Sequence, residues 1–158
     1  MANDNMRVMV SYKYTGESVD RLDKLLSTIC DSLCNAGANP YCVYFAKARG
    51  LIQQKSPAEM MKIAFKQIDR SDVLLVVQSS ESRSEGMLME VGYAVASQVP
   101  VVVITHSSVL STYLPSIADI SIRYNCVDDL RNIIEDFDFS SLKLKTNTMA
   151  LVENSAVS

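Results

Sequence analysis

The stretch SDVLLVVQSSESRSEGMLMEVGYAVASQVPVVVI, residues 71–104, decides the fold. Near its start is the apolar run VLLVV, within Asp72–Gln78. At its end is a second run, VPVVVI, which Thr105 follows. Short continuous apolar runs of this kind are typical of strands buried on both faces, as in a parallel sheet. The residues between them, 85–98, are long enough for a helix. The stretch therefore predicts a strand–helix–strand unit with parallel strands.

The same alternation extends outward in both directions. The predicted strands are 7–11, 40–45, 72–78, 99–105 and 119–125, and the predicted helices are 19–36, 57–70, 85–98 and 127–137, with a loop at 46–55. Alternating strands and helices argue for an α/β domain in which helices cover both faces of one sheet. We predict a three-layer, flavodoxin-like (Rossmann-like) fold with a five-stranded parallel sheet in the order 2-1-3-4-5.

One helix start is marked clearly by the sequence SPAE at Ser56–Glu59. A serine can cap the helix, a proline suits the first helical position, and a glutamate three residues after the serine can complete a capping box. Gly37 stands where the first helix should end.

Composition and length indicate one globular domain. Of 158 residues, 48% are hydrophobic and 21% charged, and the net charge is −3 with no basic run. These values disfavour nucleic-acid binding, and no apolar run is long enough to span a membrane. The four cysteines and single histidine lack the spacing of a zinc site, so no metal is predicted. Without a recognisable signal peptide, a reduced, cytoplasmic location is expected.

The domain is predicted to cover residues 1–139. After Phe139 the helical periodicity fails, and residues 140–158 contain few large apolar side chains. We predict that this segment is a flexible or partner-bound tail.

From Gly86 to Ile104 the chain contains one charged side chain, Glu90. In a parallel sheet of the predicted order, ligands bind at the carboxyl ends of the strands, where the strand order reverses. That point lies between the first and third strands, and Glu90 is one to two turns into the helix after the third. We expect its carboxylate to face this crevice, partly desolvated and with a raised pKa unless donors stabilise the charge. The helix N-terminus also offers N–H groups to an anion.

The segments SDVLLVV and SRSEGMLMEVGYAVASQVPVVVI resemble the nucleoside 2-deoxyribosyltransferase family, which includes the 2'-deoxynucleoside 5'-monophosphate N-glycosidases. EVGYA at Glu90–Ala94 matches the family's Glu–hydrophobic–Gly–x–Ala motif. The resemblance spans about residues 6–137 and is specific over 72–104. It implies that Glu90 is a nucleophile and that Ser84 meets a 5'-phosphate, as in the hydrolases. It also implies a homo-oligomer, because a neighbouring subunit often completes the site in that family.

Two positions depart from the family pattern. The family's aspartate on the helix before the third strand is replaced by Ala64, and the nearby Asp69 is expected on a different face. The first loop, VSYKYTGES, offers only Gly16 where the family has a glycine-rich turn. These departures keep open a nucleotide-binding module without catalytic activity, or a purely scaffolding role.

A second resemblance is to TIR domains. It rests on VMVSYK at the first strand, on IDRSDVLLVVQSS at the third, and on a serine six residues before a helix glutamate. Some TIR domains cleave the nicotinamide glycosidic bond of NAD with a glutamate at this place. The resemblance therefore implies an NAD-cleaving or signalling domain as the alternative.

Both resemblances imply N-glycosidic chemistry. A carboxylate beneath the anomeric carbon can form a covalent ester or stabilise an oxocarbenium-like state. We predict cleavage of a (deoxy)nucleoside or its 5'-monophosphate, without a cofactor. Asp72 and His106 are interpreted as structural. The predicted catalytic residues are Glu90 and Tyr12, and the predicted substrate-binding residues are Ser11, Tyr14, Gly16, Arg83, Ser84 and Gly86.

Overall fold

A five-stranded, all-parallel sheet in the order β2-β1-β3-β4-β5 organises the protein. The computed structural model describes residues 3–142. The predicted fold class and strand order are confirmed. The elements are β1 Arg7–Tyr12, α1 Val19–Asn35, β2 Asn39–Tyr41, α2 Val43–Ala48, α3 Pro57–Asp69, β3 Val73–Gln78, α4 Glu85–Ala96, β4 Val101–His106, α5 Leu114–Ile117, β5 Ile120–Tyr124 and α6 Val127–Asp136.

The central strand β3 is buried along its whole length, as its apolar sequence predicts. Successive side chains of a strand point to opposite faces, so β3 supplies two cores. Val73, Leu75 and Val77 join the core beneath α1 and α6, whereas Leu74 and Val76 join the core beneath α3 and α4. The helices therefore cover both faces of the sheet and leave the carboxyl ends of the strands for loops and a site.

The second strand is shorter than predicted. The sequence pattern predicted a strand over 40–45 and a loop after it, but β2 ends at Tyr41 and α2 begins at Val43. The strand pairs with β1 at only three positions, and the chain then turns away as a helix that packs on both the core and a cavity beside β1. Tertiary packing thus overrides the β-propensity of the sequence CVYF.

The predicted capping box of α3 is present. The Glu59 backbone N–H donates to Ser56 Oγ at 3.3 Å, and the Ser56 backbone N–H donates to the Glu59 carboxylate at 3.1 Å. The hydrogen bonds from Ser56 hold the pKa of the Glu59 carboxyl below its usual value.

Replacing Ser56 with alanine should lower the free energy of unfolding by about 1 kcal/mol, because it removes the side-chain acceptor at the helix start. Urea denaturation monitored by circular dichroism would measure the change. Ser27→Ala is a suitable control, since the Ser27 hydroxyl bonds only a carbonyl within α1. Equal stability of Ser56→Ala and wild type would contradict the role of the cap.

The two ends of the described chain are joined by a buried asparagine. The Asn3 side-chain amide donates to the Phe137 carbonyl at 2.7 Å, and its oxygen accepts from the Phe139 backbone N–H at 2.7 Å.

Leu142, within the predicted tail, is buried in the core beneath α1 and α6. The rest of that tail, 143–158, lies outside the described residues, so the predicted domain boundary stays a prediction. Among residues 3–142 no helix has the length and apolarity needed to cross a bilayer.

Candidate active site

A cavity of about 580 Å³ opens beside the carboxyl end of β1. Its walls come from β1 and the loop after it, from α2 and α3, and from the first two turns of α4. Most of the lining is apolar, and among the described residues that line it Glu90 is the one carboxylate. The lining residues are Val10, Ser11, Tyr12, Tyr14, Val19, Val43, Tyr44, Lys47, Ala48, Gln54, Pro57, Met60, Met61, Ala64, Gly86 and Glu90.

Glu90 is held in this cavity by a hydrogen bond from the end of β1. The Ser11 hydroxyl donates to the Glu90 carboxylate, a contact between residues 79 positions apart in the chain. Burial raises the pKa of Glu90 to about 7, although the Ser11 hydrogen bond acts in the opposite direction. The carboxyl group is therefore divided between its acid and carboxylate forms near neutral pH. Such a group can serve as a nucleophile in one form and as a proton donor in the other.

Replacing Ser11 with alanine should raise the pKa of Glu90 above about 7, because the variant loses the hydrogen bond that favours the carboxylate. A ¹³C NMR titration of the glutamate carboxyl groups would measure it, with Glu90→Gln used to assign the signal. Ser80→Ala is the matched control, because Ser80 bonds Ser82 rather than Glu90. An unchanged or lowered pKa in Ser11→Ala would show that the hydroxyl does not support the charge.

Both predicted tyrosines line the cavity, at different depths. Tyr12 is partly buried and meets Tyr44 edge to face, with ring centroids 6.4 Å apart. Burial, followed by nearby Cys42 and Glu90, raises the pKa of Tyr12, so its phenol stays protonated and can only donate or accept a neutral hydrogen bond. Tyr14 is exposed at the rim, with Lys47 Nζ 5.8 Å from its ring centroid.

Lys47 is a cavity residue that the sequence analysis missed. It lies on α2, which the sequence pattern predicted as strand and loop, and its Nζ donates to the Gln54 side chain. No local motif marks Lys47, and only a helical assignment of 43–48 would have placed it on the same face as Val43 and Tyr44.

The structure divides the other predicted residues around the start of α4. Gly86 lines the Glu90 cavity, whereas Arg83 and Ser84 line a neighbouring cleft on the other side of the helix N-terminus. Ser84 caps α4, accepting from the Met87 backbone N–H at 3.3 Å. Gly16 lies in a turn with a φ of 80°, a conformation that favours glycine, and it does not line the cavity.

The other acidic residues and the histidine considered in the sequence analysis do not line the cavity, and each makes a hydrogen bond outside it. The Asp69 carboxylate accepts from the Tyr93 hydroxyl at 2.9 Å, away from the cavity, as the helical pattern predicts. Asp72 accepts from the Arg7 backbone N–H at 2.9 Å, at the opposite end of the sheet. His106 bonds the Ser108 hydroxyl at 2.7 Å. Ala64 does line the cavity, so the position that carries an aspartate in the resembling family adds no acid here.

Comparison with solved structures finds the same fold in nucleoside-processing enzymes. The CMP N-glycosidase BcmB of Clostridium botulinum aligns with a TM-score of 0.63 and 15% identity, over 83% of this chain and 99% of the other. A 2-deoxyribosyltransferase from Bacillus psychrosaccharolyticus aligns with a TM-score of 0.63 and 13% identity, over 86% and 95%. A conserved protein from Enterococcus faecalis V583 gives 0.60 and 16%, over 83% and 98%.

No protein-family model matches the sequence, and no curated protein shows a significant match. The structural similarity confirms the predicted family resemblance at the level of the fold. The chain shares its fold with a CMP N-glycosidase and a 2-deoxyribosyltransferase. Among the described residues, Glu90, on the helix that follows the third strand, is the one carboxylate that lines the cavity beside β1.

Proposed function

We propose that the protein cleaves the N-glycosidic bond of a nucleoside, a deoxynucleoside or one of their 5'-monophosphates, with Glu90 as the nucleophile. The observation that carries the proposal is the position of Glu90, the one carboxylate among the described residues of a largely apolar cavity, oriented by Ser11. The shared fold with an N-glycosidase and a deoxyribosyltransferase supports it.

The reaction would proceed in two steps. A Glu90 carboxylate oxygen bonds to the anomeric carbon while the bond from that carbon to the base nitrogen breaks, and the base leaves with the bonding electrons and takes up a proton from solvent. Water then attacks the anomeric carbon of the glycosyl ester and loses a proton to solvent, which releases the sugar and returns the carboxylate; a second base in place of water would give transfer instead. The apolar walls limit access of water to the ester.

Ser11 would position the carboxylate, and Tyr12 would contact the substrate. Ser11 fixes one carboxylate oxygen by its hydrogen bond, and the protonated Tyr12 phenol can donate to a sugar hydroxyl or to the leaving base. Tyr14, at the rim, offers a ring face to a base, and the neighbouring Lys47 offers a cation.

A 5'-phosphate, if the substrate carries one, would lie at the start of α4. The backbone N–H groups of the first turn point out of the helix end, and Gly86 keeps that turn open toward the cavity. Arg83 and Ser84 would then approach the phosphate from the other side of the helix N-terminus.

Base release from a panel of ribo- and deoxyribonucleosides and their 5'-monophosphates, followed by liquid chromatography at pH 8, tests the proposal. At this pH most of the Glu90 carboxyl groups are ionised. Release of free base from at least one class of substrate is expected. Nucleotide binding by calorimetry without release from any substrate would instead identify an inactive binding module.

The alternative is cleavage of the nicotinamide bond of NAD, and Ala64 favours it. A neutral base must be protonated as it leaves, and the described cavity has no carboxylic acid besides Glu90. In NAD, a positively charged ring nitrogen joins nicotinamide to the ribose. Nicotinamide therefore leaves as a neutral molecule and needs no proton. Nicotinamide release from NAD, with no base release from the nucleoside panel, would decide in favour of this candidate.

The predicted homo-oligomer remains a proposal. Leu88, Met89 and Val95 of α4 are exposed apolar side chains on a helix that borders the site. A neighbouring copy that covers Leu88 and Met89 would lie close to the first turn of α4.

A further inference from the structure

Two buried polar side chains lie side by side at the carboxyl ends of β3 and β4. Gln78 is only 7% exposed and Thr105 is fully buried, and the two are register partners in the sheet. Gln78 Oε1 and Thr105 Oγ1 have no hydrogen-bond partner among the described residues. Because buried polar atoms are nearly always paired, these two oxygens would gain a hydrogen bond from a ligand or water that reached them.

Neither side chain lines the Glu90 cavity, and Gln78 lies beside the neighbouring cleft. Strand alternation places Gln78 on the same face as Leu74 and Val76, and Thr105 on the same face as Val103, which is the face covered by α3 and α4. Gln78 lines a cleft of about 420 Å³ on the far side of the α4 N-terminus. This volume lies in the range of small-molecule sites.

The cleft has a buried floor, and its walls include exposed aromatic and aliphatic side chains. Met87 is buried at its floor, while Tyr113 and Leu110 are 82% and 80% exposed. The Glu81 carboxylate accepts from the Leu110 backbone N–H at 2.8 Å and so holds the loop between β4 and α5 against the cleft. An exposed tyrosine beside a cleft offers a face on which a flat ring can stack.

We propose that this cleft is a second binding site, and that it takes a planar heterocycle with an N–H donor next to a ring-nitrogen acceptor, as in adenine. A glutamine amide presents one acceptor and one donor side by side, the pattern that pairs with the two adjacent groups of adenine. The last torsion of a glutamine side chain is broad, so the amide can turn its oxygen toward a ligand. The proposal goes beyond the proposed function because it uses neither Glu90 nor its cavity; the two share only Arg83 and Ser84, which line this cleft and are proposed above to approach a 5'-phosphate.

An NMR titration of ¹⁵N-labelled protein with free adenine tests the site. Adenine should shift the side-chain amide signals of Gln78 and the backbone signals of 110–114, whether or not it also shifts those of Tyr14 and Lys47 in the Glu90 cavity. The affinity should fall by at least about tenfold in Gln78→Leu, and also in Tyr113→Ala, where the side chain is too exposed to affect folding. Gln53→Leu, an exposed glutamine outside the cleft, is the matched control.

Three results would overturn the proposal. One is the absence of any shift up to about 1 mM adenine, which would leave the orphaned atoms to water. Another is a set of shifts confined to the Glu90 cavity, around Tyr14 and Lys47. The third is an adenine affinity that is unchanged by both Gln78→Leu and Tyr113→Ala. Each result is independent of whether the Glu90 cavity cleaves any nucleoside.

Discussion

Replacing Glu90 with alanine should lower the rate of base release by at least about 10³-fold, because it removes the group that would form the glycosyl ester in the proposed mechanism. No other described carboxylate lines the cavity, so no neighbour can take over the role. Glu90→Asp keeps the charge but withdraws the carboxylate by one methylene, and a displacement of about 1 Å can reduce a rate by about 10²-fold. The measurement is single-turnover base release at pH 8 for wild type and both variants.

The matched control is Glu85→Ala, which removes an exposed carboxylate from the first turn of the same helix. Its rate should remain close to that of wild type. Substrate affinity of Glu90→Ala, measured by calorimetry, separates a loss of chemistry from a loss of binding. Near-wild-type turnover by a folded Glu90→Ala variant would end the assignment of Glu90 as nucleophile.

The sequence predicts the position of Glu90 because this residue conflicts with its surroundings. A carboxylate is expensive to bury, so one acidic residue in an apolar strand–helix–strand segment indicates a specific use. The two apolar runs fix the parallel sheet, and the sheet fixes where a crevice can lie. These local patterns leave few sheet topologies, and the common five-stranded order that was predicted is the one observed.

The rest of the site depends on contacts between distant parts of the chain. The hydrogen bond from Ser11 to Glu90 links residues 79 positions apart, and no local pattern encodes it. Lys47 was missed because the apolar sequence around Val43 suits a strand as well as a helix, and only packing against β1 and the cavity selects the helix. Arg83 and Gly86 are close in sequence, yet the start of α4 directs them to different cavities.

Replacing Glu90 with glutamine should raise the free energy of unfolding at pH 8 by roughly 3 kcal/mol, since one pKa unit corresponds to about 1.36 kcal/mol. Burial raises the pKa of this carboxyl from 4.5 to about 7 in the folded protein. The folded state thus holds the proton more tightly than the unfolded state, so the contribution of Glu90 to stability is fully present below pH 4.5 and is lost as the pH rises through 7. Glutamine is neutral at every pH, and its oxygen can still accept from Ser11.

Urea denaturation of wild type and Glu90→Gln at pH 4.5 and pH 8 measures this difference, because the other titrating groups are common to both proteins. The two should have nearly equal stability at pH 4.5 and differ most at pH 8, whereas Glu85→Gln, at an exposed position, should track wild type at both values. A Glu90→Gln variant no more stable than wild type at pH 8 would show that the carboxylate is well solvated. Such a gain would support a functional role for Glu90, since mutations that stabilise a fold at a functional site commonly reduce activity.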